Sequence, residues 1–325
     1  MHVIKKANKA IYPFIFDVKY GQMTSINCYL YDNGESLTLI DGGILRGPYI
    51  DFFEKQLAQY GFTYESIDQI ILTHHHEDHI GIINTVLARK KVPIYAHHLA
   101  IERLQFDETY LANKLKFFVQ LYNEYGCFEE ASDRLQKLKK TLENSNAVKI
   151  QEEIIPLHTG DQVAGLTVFD VPGHSPDSIL LLDAETKWAF SGDLVLKYGT
   201  SNALIDFDNN MTLLPTVFQQ RESLKNFQQL DISLVLPGHN LPFEDYQEVA
   251  QFYIERIEKK CSRLVDAVQN GCDTAFKLAV ALYGEKATTQ FSLVMSEVIG
   301  YSLYAESQNL ISRHSKDGQY YFYAN

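Results

Sequence analysis

Short apolar runs that end in polar or glycine-containing loops recur along the first 245 residues of the chain. Runs separated by turn residues predict strands at Ile11–Val18, Asn27–Tyr31 and Ser36–Ile40. Apolar positions at helical spacing predict a helix over Tyr49–Tyr60, and a continuous apolar run predicts a buried strand over Ile67–Thr73. The same patterns predict a helix at Ile80–Arg89 and strands at Val92–Ala96, Leu166–Val171, Ile179–Leu182, Trp188–Phe190 and Leu234–Leu236. Strands that alternate with helices are typical of a layered α/β architecture.

One segment, from Leu99 to about residue 150, departs from that alternation. It contains no strand signal, and up to Lys149 its charges balance, with 8 Lys and Arg against 8 Asp and Glu. We therefore predict a helical insertion. Its aromatic and apolar residues are either a lid over a functional site or the insertion's own core. They are Phe117, Phe118, Leu121, Tyr122 and Tyr125.

The chain after residue 245 predicts a second domain made mainly of helices. A long apolar stripe begins at Tyr246 and stops at Gly271, and further helices are predicted at Thr274–Tyr283 and about Gln290–Gln308. Ile311–Tyr323 then predicts a hairpin that turns at Asp317-Gly318. Three helices followed by a hairpin is the order of a winged-helix module, so we predict domains at 1–245 and 246–325.

Composition and charge restrict the kinds of partner that the protein is expected to bind. The 325 residues are 46% hydrophobic and carry a net charge of -12, which does not favour nucleic acid or anionic lipid. No run approaches the roughly 18 apolar residues of a membrane helix. The four cysteines lie far apart without a C-x-x-C pair, which indicates reduced thiols. We expect a cytoplasmic protein with a small-molecule substrate and no membrane partner, and leave open whether it forms a homodimer.

The segment Thr73–His79 carries the strongest chemical signal. It reads T-H-H-H-E-D-H and lies between a buried strand and a helix. Such a loop can direct His74 and His76 to one metal ion while Asp78 and His79 turn toward a second. Imidazole and carboxylate ligands suit zinc, and they also suit iron or manganese.

Three further candidate ligands each follow an apolar run and a glycine. They are His174 after Pro172-Gly173, Asp193 after Ser191-Gly192, and His239 after Pro237-Gly238. The glycines allow sharp turns that project the next side chain into a shared cleft. With the histidine loop, these residues complete a set of seven ligands for two metal ions.

In these motifs the chain resembles the metallo-β-lactamase fold superfamily, the αββα hydrolases, over about residues 11–245. The motifs occur in the family's order and are Leu39–Gly43, His74–His79, Pro172–Ser175, Ser191–Asp193 and Pro237–His239. The resemblance implies an α/β fold in which two packed sheets carry helices outside, with the metal ions at one sheet edge.

The resemblance also implies a role for each ligand. His74, His76 and His174 would hold the first ion; Asp78, His79 and His239 would hold the second; and Asp193 would bridge both. Asp41 would accept the second N–H of a ligand imidazole, with the alternative that it caps the turn before Gly42-Gly43. The acidic and histidine residues outside the pattern receive no part in the site. They are His75, Glu77, His97, His98 and His158.

The implied chemistry is hydrolysis by a hydroxide that bridges two divalent metal ions, with Asp78 as the catalytic residue that orients it and receives its proton. Asp193 together with His79 resembles the glyoxalase II, lactonase and phosphodiesterase branches, so we expect an ester, thioester or lactone substrate. The alternative is a phosphodiesterase or endoribonuclease. Residues 246–325 hold 8 Lys and Arg against 9 Asp and Glu, which does not favour that alternative.

Overall fold

The computed structural model describes residues 2–20, 23–143, 149–199 and 201–325, and its first half is organised by a seven-stranded sheet. The strands follow one another across this sheet in chain order. The first four pair antiparallel and the last four pair parallel. They are β1 (Ile4–Lys6), β2 (Lys9–Tyr20), β3 (Met23–Asp32), β4 (Leu37–Ile40), β5 (Gln69–Leu72), β6 (Ile94–His97) and β7 (Ile154–Leu157).

A second sheet of five strands lies against the first. Its order is β12-β11-β10-β9-β8, and all neighbours are antiparallel except β11 and β12. The strands are β8 (Gln162–Val163), β9 (Leu166–Asp170), β10 (Ile179–Asp183), β11 (Trp188–Gly192) and β12 (Leu234–Pro237). Because β11 and β12 are parallel, their carboxyl ends meet at one edge of the sheet.

Successive side chains of the central strands pack alternately between the sheets and against outer helices, which gives the fold four layers. In β5, Ile71 packs between the two sheets, whereas Ile70 faces the helix α1 (Gly47–Gln59). In β10, Leu181 packs between the sheets and Leu180 faces the helix α7 (Thr216–Gln228). Successive strand residues point to opposite faces, so the fully apolar strands become buried on both sides. The predicted α/β arrangement of two packed sheets with helices outside is confirmed.

The histidine loop leads into two short helices, and the predicted insertion is helical. The two helices are α2 (Glu77–Ile80) and α3 (Ile83–Arg89). The insertion contains α4 (Ile101–Leu104), α5 (Glu108–Glu124) and α6 (Ser132–Glu143). The side chains of Phe117, Phe118, Leu121, Tyr122 and Tyr125 are buried, and Tyr122 lies 5.3 Å from Phe291 between ring centroids. They therefore form core rather than an open apolar surface.

The C-terminal segment contains the predicted helices and hairpin, with one additional short helix. The elements are α8 (Tyr246–Gln269), α9 (Ala275–Tyr283), α10 (Lys286–Thr289), α11 (Phe291–Ser307), β13 (Ile311–Lys316) and β14 (Gln319–Ala324). Their apolar side chains share one core with α7 and the insertion. The winged-helix class and the division into two domains stay predictions.

Three strands were not predicted from the sequence. They are β1 and β8, which have three and two residues, and β7, which contains Pro156. Such short or proline-containing segments carry little strand signal. Among the described residues, every helix is too short or too polar to traverse a lipid bilayer.

The layer between the sheets should dominate stability. Phe190 is buried there, with its ring centroid 5.6 Å from that of Tyr29 and 5.7 Å from that of Tyr31. We expect Phe190→Ala to lower the free energy of unfolding by about 3–5 kcal/mol in urea titrations. Phe252→Ala, at a side chain 53% exposed, should change it by about 0.5 kcal/mol or less. Equal effects of the two substitutions would contradict this account.

Candidate metal centre

The histidine loop begins where β5 ends, and Asp41 holds it from the end of the neighbouring parallel strand β4. Asp41 Oδ1 accepts a hydrogen bond from Thr73 N, and Oδ2 accepts one from Thr73 Oγ1, each at 2.8 Å. Asp41 Oδ2 also lies 2.8 Å from His79 Nδ1. The Asp41 carboxylate therefore contacts both the start of the loop and the helix that follows it.

The structure brings together all seven residues predicted as metal ligands. Three imidazoles converge at one side, where His76 Nδ1 lies 2.9 Å from His74 Nε2 and 3.0 Å from His174 Nε2. The donor atoms form three overlapping groups within 4.8 Å of one another. The groups are His74, His76 and His174; His74, His79 and Asp193; and Asp78, His79 and His239.

Asp193 lies between the two outer groups. Its Oδ1 is 3.5 Å from His79 Nε2, and its Oδ2 is 3.5 Å from His174 Nε2 and 3.2 Å from His239 Nε2. His239 Nε2 is also 3.4 Å from Asp78 Oδ2. One carboxylate thus faces donors from both sides of the cluster.

The Nδ1 atoms of His174 and His239 are held by the surrounding chain. His174 Nδ1 lies 2.9 Å from both Asn202 O and Ser201 Oγ, and His239 Nδ1 lies 2.8 Å from Ser25 O. An N–H donated at one ring nitrogen sets the tautomer and turns the other nitrogen toward the centre.

Buried polar atoms without partners test whether metal ions fit this site. Within the described residues, His79 Nε2, His239 Nε2 and Asp193 Oδ1 are buried and accept or donate no hydrogen bond. A buried polar atom left unpaired costs about 1–3 kcal/mol, so three around one point indicate a missing partner. Imidazole nitrogen and carboxylate oxygen are ligands that divalent transition metals accept. The residues fit divalent metal ions.

The electrostatics divide the imidazoles of the cluster into two kinds. Burial lowers the pKa of His74, His76 and His174, which keeps these imidazoles neutral as metal binding requires. Burial also opposes a charge on His79 and on His239, but nearby carboxylates outweigh it and raise the pKa of both rings, Asp193 and Asp41 for His79 and Asp193 for His239. Each of these two rings would therefore release a proton on binding a metal ion.

Two glycines beside the candidate ligands are required because neighbouring side chains approach their backbone closely. A Cβ at Gly238 would lie 2.5 Å from both Asp193 Oδ1 and His79 Cε1. Gly192 has a φ of +48°, and a Cβ there would lie 2.6 Å from Thr73 Oγ1. A side chain at either position would displace ligands or the residue that aligns the loop.

Several residues of the site were missed by the sequence analysis. Ser25 and Asn202 contribute backbone carbonyls, which no sequence motif reveals. Asp177 accepts hydrogen bonds from His75 N at 2.9 Å and pairs with His75 Nδ1 at 2.8 Å, so it holds that ring beside the ligands. Asp177 lies three residues after the candidate ligand His174, and this proximity in sequence could have marked it as a residue of the site. His98 stacks on His158 at 4.4 Å, separate from the ligand cluster.

Comparison with known proteins identifies the family. The family model described as the metallo-beta-lactamase superfamily matches residues 22–239. A probable metallo-hydrolase of Bacillus subtilis is 26% identical over 295 residues, which are 89% of this chain and 90% of the relative. An atrochrysone carboxyl ACP thioesterase of Aspergillus fumigatus is 24% identical over 322 residues, covering 94% of this chain and 83% of that protein.

Solved structures share the fold over nearly the whole chain. A metallo-beta-lactamase family protein from Thermus thermophilus superimposes with a TM-score of 0.77 at 19% identity, covering 97% of this chain and 98% of that one. A beta-lactamase domain protein from Burkholderia ambifaria gives 0.73 at 17% identity, with 99% and 93% covered. The insertion and the C-terminal segment therefore belong to an architecture found in other proteins.

The contact between Asp41 and His79 generates a prediction. Asp41 has a φ of +60°, which asparagine also adopts, so Asp41→Asn should keep the backbone while placing an amide where a carboxylate oxygen is needed. We expect metal affinity to fall about 10–100-fold, measured by competition with a chromogenic chelator.

Asp68→Asn is the matched control, because the Asp68 carboxylate accepts the Leu37 N–H at the other end of β4. It should bind metal as the unmodified protein does. Wild-type affinity in Asp41→Asn, or an equal loss in Asp68→Asn, would contradict the role given to Asp41.

Proposed function

Because the chain belongs to the metallo-beta-lactamase superfamily, we propose that it is a binuclear metal-dependent hydrolase of small-molecule thioesters, esters or lactones. The observation that carries this proposal is the convergence of seven buried or half-buried donor residues, with Asp193 in contact with three of the others. Asp78 is the more accessible to solvent of the two carboxylate donors in this set, with a side chain 29% exposed, and an accessible carboxylate in the cluster favours hydrolysis over a purely structural metal site.

We assign the ligands by their groups in the structure. His74, His76 and His174 would hold one ion; Asp78, His79 and His239 would hold the other; and Asp193 would contact both. Zinc is the first expectation, and iron or manganese would accept the same nitrogen and oxygen donors.

When bound, such ions lower the pKa of water toward neutrality and polarise the oxygen of the bond to be broken. The chain's own residues supply the rest. The Asp78 side chain is 29% exposed, so its carboxylate can orient a water molecule and accept its proton. Ser25, Asn202 and Asp41 keep the imidazoles oriented, so little reorganisation is required during the reaction.

An acyl substrate is supported by the fungal relative named as a thioesterase, which matches almost the full length of this chain. The C-terminal segment supports the same choice. In α11 the charged side chains are Glu297 and Glu306, and Glu297 pairs with Lys260 of α8. A helix without basic residues is poorly suited to phosphate contacts, so phosphodiester or RNA cleavage remains the alternative.

The test compares kcat/KM of the metal-reconstituted protein on an acyl thioester and on a chromogenic phosphodiester. We expect preference for the thioester, and loss of that activity to background in Asp193→Asn, because the substitution removes the carboxylate shared by both ligand groups. Asp231→Asn, at an exposed side chain paired with Lys187, should leave the rates unchanged. Preference for the phosphodiester would overturn the assignment.

A further inference from the structure

The segment of residues 194–202, the 194–202 loop, connects two parts of the candidate metal centre. It follows Asp193 directly, and the structure describes it over residues 194–199 and 201–202. At its far end, Ser201 Oγ and Asn202 O each lie 2.9 Å from His174 Nδ1. The position of this end of the loop therefore sets how the His174 ring is turned toward the other candidate ligands.

The hydroxyl of Tyr253, on helix α8, anchors the 194–202 loop at two points. Tyr253 Oη accepts the Leu196 N–H at 3.0 Å and the Ser201 N–H at 3.2 Å, and it donates to Leu196 O at 3.2 Å. A phenol hydroxyl offers one donor and two acceptor positions, so these three bonds use all of them.

The surroundings of Tyr253 keep its hydroxyl protonated. The residue is 3% exposed, and burial raises the pKa of the hydroxyl to about 12, with the charge of Asp193 adding to the rise. At neutral pH the group therefore remains able to donate as well as to accept. Its anchoring of the loop does not change over the physiological pH range.

Gln220 holds the same loop from the neighbouring helix α7. Its Nε2 donates to Ser201 O at 3.0 Å, so side chains of two outer helices bind both backbone groups of Ser201. The α7 backbone also approaches the turn before His174, where a Cβ at Gly173 would lie 2.4 Å from Gln220 Cα. Helix α7 therefore contacts both the turn that carries His174 and the loop that orients its ring.

A small cavity beside the 194–202 loop leaves its position dependent on these hydrogen bonds. The cavity has a volume of about 20 Å³, and its lining includes Ser201, Asn202, Gln220 and Tyr253. Because this space is free of side chains, packing alone does not hold the loop on that side. Removal of the Tyr253 hydroxyl would leave two buried N–H groups without a partner, which favours a displaced loop.

Displacement of the loop would act on one group of candidate ligands more than on the other. His174 Nε2 lies 3.0 Å from His76 Nδ1, within the group that also contains His74. His239, in the other group, has its Nδ1 held by Ser25 O of β3 and not by this loop. The ion beside His74, His76 and His174 is therefore the one whose binding depends on the loop.

From these contacts we infer that Tyr253 and Gln220 are positioning residues of the metal centre, which hold the 194–202 loop so that His174 is presented to its metal ion. Helix α8 then contributes to the centre, although it lies beyond the residues 22–239 that the family model matches. The inference rests on the metal centre of the proposed function and is independent of its substrate.

The first experiment measures zinc affinity, starting from the metal-free protein, by competition with a chromogenic chelator. We expect Tyr253→Phe and Gln220→Met each to bind one of the two zinc ions about tenfold more weakly, because the His174 ring loses its fixed orientation. Gln220→Met provides the same test from α7 if Tyr253→Phe does not fold. Unchanged zinc affinity in the folded variants would overturn the inference.

Tyr246→Phe is the matched control for the loss of a buried hydroxyl. Tyr246 lies on the same helix, is buried and donates to Leu230 O at 2.6 Å, before the start of β12 and away from His239 at its end. Its zinc affinity should stay within about twofold of that of the unmodified protein. An equal loss of affinity in Tyr246→Phe would overturn the inference, since any lost hydrogen bond of α8 would then have the same effect.

The second experiment locates the loss by anomalous diffraction at the zinc absorption edge, from crystals of the unmodified protein and of Tyr253→Phe at equal, limiting zinc. We expect the peak beside His74, His76 and His174 to weaken relative to the peak beside Asp78, His79 and His239. Equal weakening of both peaks, or unaltered peaks, would overturn the inference and leave the proposed function standing. Absence of zinc from both positions in the unmodified protein would reject the proposed function and this inference together.

Discussion

The site depends on one buried carboxylate. Asp41 follows β4 and receives hydrogen bonds from the backbone and hydroxyl of Thr73, the residue that follows the parallel strand β5. Its second oxygen also contacts the His79 ring. Because the same group fixes the loop's start and a ligand imidazole beyond it, His74 and His76 are presented toward His174 and Asp193 of the second sheet. The positive φ of Asp41 is the backbone feature that permits these contacts.

The packing of the two sheets against each other is the second requirement for bringing the candidate ligands together. The candidate ligands of the first sheet follow β5, whereas Asp193 and His239 follow the parallel strands β11 and β12 of the second. Packing of Ile71 and Phe190 between the sheets brings those ends together. The small size of Gly192 and Gly238 then allows the two loops to approach without displacing Thr73 or His79. The candidate metal centre at one sheet edge is the outcome of ordinary core packing combined with polar residues placed at strand ends.

Site residues that lie in contiguous motifs could be predicted from the sequence, whereas contacts between segments far apart in the chain could not. His74–His79 and the glycine-preceded His174, Asp193 and His239 form contiguous motifs, so their convergence could be predicted from strand ends alone. The carbonyls of Ser25 and Asn202 leave no trace in a motif, because any residue type provides one. The insertion shows the same limit, since helical spacing predicted its helices but left open whether the aromatic rings formed a lid or a core. Contacts such as that between Tyr122 and Phe291 join segments far apart in the chain.

The central claim is that Asp193 is shared by two metal ions held by otherwise separate ligand groups. Anomalous X-ray diffraction at the zinc absorption edge, from crystals of the zinc-reconstituted protein, tests it directly. The account predicts two anomalous peaks, one beside His74, His76 and His174 and one beside Asp78, His79 and His239, with the Asp193 carboxylate in contact with both. A single peak at saturating zinc, or two peaks with Asp193 bound to neither or to only one, would contradict it.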